Sequence, residues 1–380
     1  MHKNQGAITI SRRQLLLGAA ALSVASLHST PTYAASPRSL KNGIDISWLP
    51  EIEGAGGKFV STQGKRISAL ALMKKNDIAV GRIRVFVRPS TSNGEVNQAI
   101  LLAKRLKAVG IEICIDLHYS DTWADPAHQT TPIKWQSMNL TELSKQVSSY
   151  TEQILRKFVK AGVSPQWVQI GNEIAGGFLW PLGKINSGTD LEWNSFVALH
   201  NAATKSLRKV LPRAKSIVHL ECGGDSSRVR WWLDNARLHG LQNVDVVGLS
   251  YYSQWQGPLE NLNATLNVVA REFSKPVLIA ETAYPWTSQT FGNDVIDTEY
   301  AALSGFPLTP SGQRDYVLQI NQLMRALPRN RGIGVWWWEG FATRVSDSTQ
   351  TVKWNGGMAN SALVGINGHE LPALNALRSS

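Results

Sequence analysis

Eight short, almost wholly apolar runs recur between positions 40 and 380, and stretches of helical period fill the gaps between them. The runs are GIDISW (43–48), RIRVFV (82–87), EICIDLHY (112–119), WVQIGNE (167–173), SIVHLEC (216–222), VDVVGLSYY (244–252), PVLIAETA (276–283) and GIGVWWWE (332–339). A strand with one wet face alternates apolar and polar residues. Most of these runs do not, so they are expected to be covered on both faces, as in a parallel sheet. The helical stretches include EVNQAILLAKRLKAV (95–109), LTELSKQVSSYTEQILRKFVKA (140–161), LEWNSFVALHNAATKSLRKVL (191–211) and SGQRDYVLQINQLMRAL (311–327). Strict alternation of strand and helix predicts an α/β fold, a single closed (β/α)8 TIM barrel over residues 36–380. An apolar fraction of 43% is ample for its core, and no linker or low-complexity tract suggests a second domain.

Residues 1–35 read as an export signal rather than as fold. Ser11, Arg12 and Arg13 lead into LLLGAAALSVASL (15–27), and a small-residue cleavage point ends at Ala34. The apolar segment is too short to span a bilayer. Its S-R-R-x-L-L order resembles a twin-arginine signal, so the chain is expected in the periplasm or outside the cell, without a membrane anchor. The formal charge of +11 falls to +8 once Lys3, Arg12 and Arg13 leave with the signal. The remaining basic residues are scattered, which argues against nucleic acid and for solubility or attraction to acidic wall polymer. Cys114 and Cys222 lie in runs that are not neighbours and are expected to be free, buried thiols. No Cys/His spacing suits zinc, so neither metal nor cofactor is expected to be required. A monomer is expected.

A barrel of this kind places chemistry at the C-terminal ends of its strands. The polar residues fall there: Asp45 and Ser47, then Asp116, His118 and Tyr119, then Asn172 and Glu173, Tyr251 and Tyr252, Glu281, and finally Trp338 and Glu339. Arg84 lies along the second run. Unpartnered polar groups cost about 1–3 kcal/mol each when buried, so a greasy strand that ends this way marks a site. Glu173 and Glu281, 108 residues apart, are the sharpest pair. Cleaving a glycosidic bond takes one protonated carboxylic acid and one ionised carboxylate, about 5 Å apart when configuration is retained. Glu173 is expected to be the acid/base, its pKa raised by burial and by its partner, with Asn172 beside it for a sugar 2-hydroxyl. Glu281 is expected to be the nucleophile, kept ionised by Arg84 and a tyrosine hydroxyl from the sixth run. The chain carries fourteen tryptophans, whose flat faces suit sugar stacking as well as core filling. Trp123 and Trp180 fall in loops, and at least one of Trp336, Trp337 and Trp338 is expected to floor the site, with one or two facing helices.

Four segments, HYSDTWADPAHQ (118–129), QIGNEIAGGFLWPLGK (169–184), GLSYYSQWQG (248–257) and AETAYPWT (280–287), closely resemble the arabinogalactan endo-β-1,4-galactanases of glycoside hydrolase family 53. The likeness runs from GIDISWLPEIEG (43–54) to NGHELPAL (367–374). It implies retention, Glu173 as acid/base, Glu281 as nucleophile, and internal cleavage of β-1,4-galactan in pectic side chains. Asp121, Trp123 and Trp286, inside these motifs, join Asp45, Arg84, His118, Asn172, Tyr251, Tyr252 and Trp338 as substrate-binding candidates. The chain departs from the family pattern at Ser253 and Gly340, where proline is usual, and at Phe86, where tryptophan is common. Those positions bear on subsite preference and product length. Some relatives carry a structural calcium, for which Asp294 and Asp297 are a weak hint. The barrel by itself leaves open another β-1,4-glycanase, such as a mannanase or xylanase, or a sugar-binding barrel without catalysis.

Overall fold

A computed structural model describes residues 39–291, 294–301, 304–343 and 357–379. The expected barrel is present. Its strands are β1 (Gly43–Asp45), β2 (Val80–Val85), β3 (Glu112–Leu117), β4 (Trp167–Ile170), β5 (Lys215–Leu220), β6 (Val246–Ser250), β7 (Val277–Thr282) and β8 (Gly332–Trp337). All pair in parallel with their neighbours, and β1 closes the ring by pairing with β2 on one side and β8 on the other. Each strand is followed by a helix: α1 (Ala69–Lys75), α2 (Val96–Val109), α3 (Leu140–Lys160), α4 (Asp190–Val210), α5 (Ser226–Leu238), α6 (Leu259–Asn267), α7 (Pro310–Arg325) and α8 (Pro372–Ala376). A short hairpin, Phe59–Val60 with Arg66–Ile67, decorates the first crossover. Local sequence sets the helix starts: capping boxes formed by Asn139 with Glu142 and by Thr189 with Glu192 open the long α3 and α4.

Two layers of packing hold the ring. Outside, the helices close over the strands in one large apolar cluster. Inside, Val80, Cys114, Trp167, Ile217, Val246, Leu278, Ala280 and Trp336 form a second cluster. Backbones must run close at the seam: a Cβ on Gly43 would lie 2.7 Å from the Trp336 ring and 2.9 Å from the Val80 carbonyl oxygen. The tryptophan triplet divides as alternation requires. Trp336 meets Trp167 inside the ring, Trp337 meets Tyr316 of α7 outside, and Trp338 lies beyond the strand. Cys114 and Cys222 are both free and buried.

The strands stop short of the polar ends of their sequence runs. His118, Asn172, Glu173, Glu221, Tyr251, Tyr252, Trp338 and Glu339 all follow a strand rather than end one. Asp45, Asp116 and Glu281 remain inside their strands, and Glu281 faces inward through a local irregularity. Leu278 and Ala280 belong to the inner cluster, so strict alternation would turn Glu281 outward. The register instead steps from Leu249↔Ile279 to Ser250↔Glu281, one residue on β6 against two on β7. That extra residue is a β-bulge. It sends Glu281 into the barrel and Thr282 out to the Tyr316 hydroxyl, 3.1 Å away.

Candidate active site

A cleft of about 1150 Å³ opens at the C-terminal end of the barrel. Glu173 and Glu281 both line it. They meet around Ser250: its hydroxyl donates to Glu173 Oε1 at 2.6 Å, and its backbone lies opposite Glu281 in the β6–β7 register. Glu173 is held in a left-handed backbone conformation (φ +53°), which a non-glycine residue adopts only under surrounding constraint. Its N–H points to His219 Nδ1 at 3.4 Å, and His219 Nε2 lies 2.9 Å from Ser250 Oγ. With the proton on Nε2, His219 donates to Ser250, which in turn donates to Glu173. Burial and the nearby Arg82 cation keep His219 well below its ordinary pKa, and so neutral.

Arg82 is the hub beneath the cleft. Its Nη1 lies 2.7 Å from Glu281 Oε1 and 3.0 Å from Asp45 Oδ2. Its Nη2 donates to Asp116 Oδ2 and to Asn172 Oδ1, each at 2.9 Å, and its Nε to Gln169 Oε1 at 3.2 Å. Burial would release the guanidinium proton, but Asp116, Glu281 and Asp45 outweigh it and hold the pKa well above the ordinary value. Burial likewise pushes Asp116 up, but His118 and Arg82 bring it below the usual carboxylate range.

The two cleft carboxyls therefore differ in acidity. Burial raises both. Glu281 has the Arg82 cation and the Tyr252 hydroxyl, which donates to Oε2 at 3.2 Å. Glu173 has the Ser250 hydroxyl and faces the negative charge of Glu281, so it stands well above its ordinary value. The first carboxylate to form in this coupled pair is Glu281, and the proton stays on Glu173.

This arrangement corrects one expectation. Arg82, not Arg84, meets Glu281. Arg84 donates to Glu339 Oε1 at 3.0 Å, and its guanidinium lies 4.4 Å from the Trp123 ring and 5.2 Å from the Trp48 ring. Burial pushes Glu339 well up even against the pull of Arg84. Among the other candidates, Asn172, Trp123, Tyr252 and Trp338 line the cleft with the two glutamates. Asp45 lies beneath it in the Arg82 cluster. His118 also supports the wall from behind: its Nδ1 accepts the Ala124 N–H, its Nε2 meets Asp116 at 2.9 Å, and Phe86 packs edge-on against it. Four candidates are directed elsewhere. Tyr251 donates to the Gly257 carbonyl, Asp121 accepts the Ile133 N–H, Trp286 donates to the Ala359 carbonyl, and Trp180 donates to the Gly176 carbonyl.

Of the family departures, Phe86 lies in the cleft wall beside Trp123. Gly340 sits where a Cβ would come 2.8 Å from Ile44 and 3.1 Å from Leu363. Ser253 opens a single helical turn behind Tyr252. Asp294 accepts the Phe291 N–H and Asp297 the Glu299 N–H, and among the described residues no group of three or more His, Cys, Asp or Glu could hold a metal.

Sequence reasoning passed over Arg82, Gln169, His219, Ser250 and Glu221, all in or beside this site. The signal that could have found Arg82 was its position two residues before Arg84, hence on the same strand face. His219 and Gln169 look like lone polar residues in apolar strands, and only the register shows that they touch.

The match to known proteins agrees with the geometry. The model of Glycosyl hydrolase family 53 matches residues 41–377. The arabinogalactan endo-β-1,4-galactanase of Thermothelomyces thermophilus is 32% identical over 78% of this chain and 88% of its own. The endo-β-1,4-galactanase of Bacillus subtilis is 30% identical over 87% and 84%. The solved GH53 catalytic domain of Ignisphaera aggregans superposes with a TM-score of 0.83 at 27% identity, covering 91% of this chain and 97% of that one. A family match across nearly the whole barrel, with this pair of carboxyls in its cleft, leaves one conclusion: the chain belongs to glycosyl hydrolase family 53.

Proposed function

We propose that this glycoside hydrolase cuts internal β-1,4-galactosidic bonds of galactan, the side chains of type I arabinogalactan, by double displacement with retention. Glu281 attacks the anomeric carbon while Glu173 delivers its proton to the departing oxygen. A glycosyl ester on Glu281 results. Glu173, now ionised, then takes a proton from water as that water displaces the ester, and both carboxyls return to their starting states. The observation that carries this reading is the division of partners around Ser250: a cation and a phenol on Glu281, a single hydroxyl on Glu173. Asn172, fixed by Arg82 and by its own donation to the Ala124 carbonyl at 2.9 Å, stands ready for the sugar 2-hydroxyl. Trp123, Trp338 and Tyr252 supply flat walls for sugar rings. The relatives' named substrate supports galactan over mannan or xylan.

We assign residues 1–35 to an export signal and the monomeric barrel to the periplasm or exterior, on the strength of the SRRQLLL pattern. Among the described residues no helix is long and apolar enough to cross a membrane.

The test is an oligosaccharide profile from linear β-1,4-galactan, with mannan and xylan alongside. A ladder of oligomers from galactan alone is expected. Monosaccharide as the sole product, or equal attack on mannan, would overturn the substrate assignment. On an aryl β-1,4-galacto-oligoside with a good leaving group, Glu173→Ala is expected to keep slow turnover and Glu281→Ala none. Equal residual rates would contradict the two roles.

A further inference from the structure

Just beyond β5, Glu221 is a largely covered carboxylate that the mechanism above does not use. It lines the same cleft as Glu173. Three connections meet on it. Its Oε2 accepts the N–H of Ala175, two residues past Glu173, at 3.1 Å. Its Oε1 accepts from Arg228 Nη2 of α5 at 2.7 Å. Its backbone carbonyl accepts from the Gln256 side chain, in the loop after β6. The loop that carries Glu173 and the loop that carries Tyr252 are thus both tied to one residue. Its side chain is 10% exposed whereas that of Arg228 is 46% exposed, so the cation is at the cleft rim and the carboxylate behind it.

Resting on the reading of Glu173 as the catalytic acid, we propose that Glu221 is its positioning residue: it anchors the backbone at Ala175 and, paired with Arg228, presents Glu173 with a second negative charge. The groups facing Glu173 are Glu281, Glu221, the Ser250 hydroxyl, Arg82, Tyr252 and His219. Glu281 must lose its charge to the sugar when the glycosyl ester forms, and its effect on the acid goes with it. Glu221 does not react. Its charge therefore persists through both half-reactions, favouring return of the proton to Glu173 when the ester is hydrolysed. Burial raises the Glu221 carboxyl, and the Arg228 guanidinium 2.7 Å away works against that rise.

The basic limb of the kcat/KM profile on linear β-1,4-galactan reads the ionisation of the acid. Removing a nearby negative charge lowers that acid's pKa, so Glu221→Gln moves the limb to lower pH. The expected displacement is about half a pH unit, a roughly threefold fall in alkaline activity relative to the same variant's plateau. Glu221→Asp keeps the charge and leaves the limb at its wild-type position, whatever happens to turnover. Glu221→Ala gives the same downward displacement as Gln and stands in for it should the Gln variant fail to accumulate. A purely structural residue would lower the plateau or the melting temperature without moving the limb, and that outcome overturns the proposal. Glu173→Ala, assayed on the aryl galacto-oligoside, separates the underlying reading from this one. If the basic limb survives there at its wild-type position, Glu173 is not the acid and both fall. If it vanishes there while Glu221→Gln and Glu221→Ala leave it unmoved in otherwise wild-type protein, only the role of Glu221 is wrong.

Discussion

Arg82 and Arg84 have the same chemistry, the same strand and the same face, yet their surroundings give them different work. Arg82 is one layer deeper, where Asp45, Asp116 and Glu281 converge on it. Arg84 is taken by Glu339 and by two tryptophan faces. Arg82→Met would leave three buried carboxylates without their cation, and breaking buried pairs of this kind costs about 3–5 kcal/mol. It also removes the charge that favours ionised Glu281, so the Glu281 pKa rises and the acid limb of the kcat/KM profile moves to higher pH. Arg84→Met is expected to leave that limb where it is. Urea denaturation and a pH profile of both variants check this, and a displaced acid limb in the Arg84 variant alone would refute it. Which arginine serves was not legible from RIRVFV, because alternation reports the face of a side chain and not the depth of its partners.

Elements show a similar division between what is local and what is not. The helices over 95–109, 140–161, 191–211 and 311–327 were expected within a residue or two of their ends, since period and caps are written in the nearest neighbours. The bulge in β7 was not legible: PVLIAE reads as one smooth apolar strand, and the extra residue exists only in relation to β6 and β8. Helix α4 carries a further consequence in His200, packed against Phe178 and Phe196 with neither ring nitrogen hydrogen-bonded among the described residues. Burial takes its pKa from 6.5 down to about 3. In the unfolded chain this imidazole binds a proton below its ordinary pKa, whereas in the fold it does not until pH 3 or so. Stability is therefore lost as pH falls through that window, at about 1.4 kcal/mol per unit. Between pH 7 and pH 5 the wild type is expected to lose about 2 kcal/mol more than His200→Leu. Parallel pH dependences of the two in urea titrations would show that His200 is not buried as a neutral ring.

For the molecule as a whole, the barrel is closed by residues from the first and last strands. A chain beginning at Pro37 is expected to fold, and to digest linear galactan at the rate of the full-length protein. A melting temperature lowered by more than a few degrees would show that residues 1–36 contribute to the fold. The Arg82 cluster, the carboxyl pair and Glu221 draw on strands or loops from β1 to β7, so loss of any one βα unit removes part of the site. This dependence follows from parallel topology, in which neighbouring strands deliver their C-terminal ends to one rim.

Taken alone, the order of residues determined the barrel and the family, and it singled out the two glutamates that share the cleft. Two-sided burial of a strand and the period of a helix are properties of short segments, and four long motifs fell in sequence at strand exits. Tertiary structure decided which charges share partners: that Arg82 rather than Arg84 steadies Glu281, that a bulge turns Glu281 inward, and that His219 and Ser250 reach Glu173. Ion pairs and hydrogen bonds fall off within a few ångströms, and a shift of one residue in strand register turns every side chain to the other face and changes every partner, which no single strand's sequence reveals.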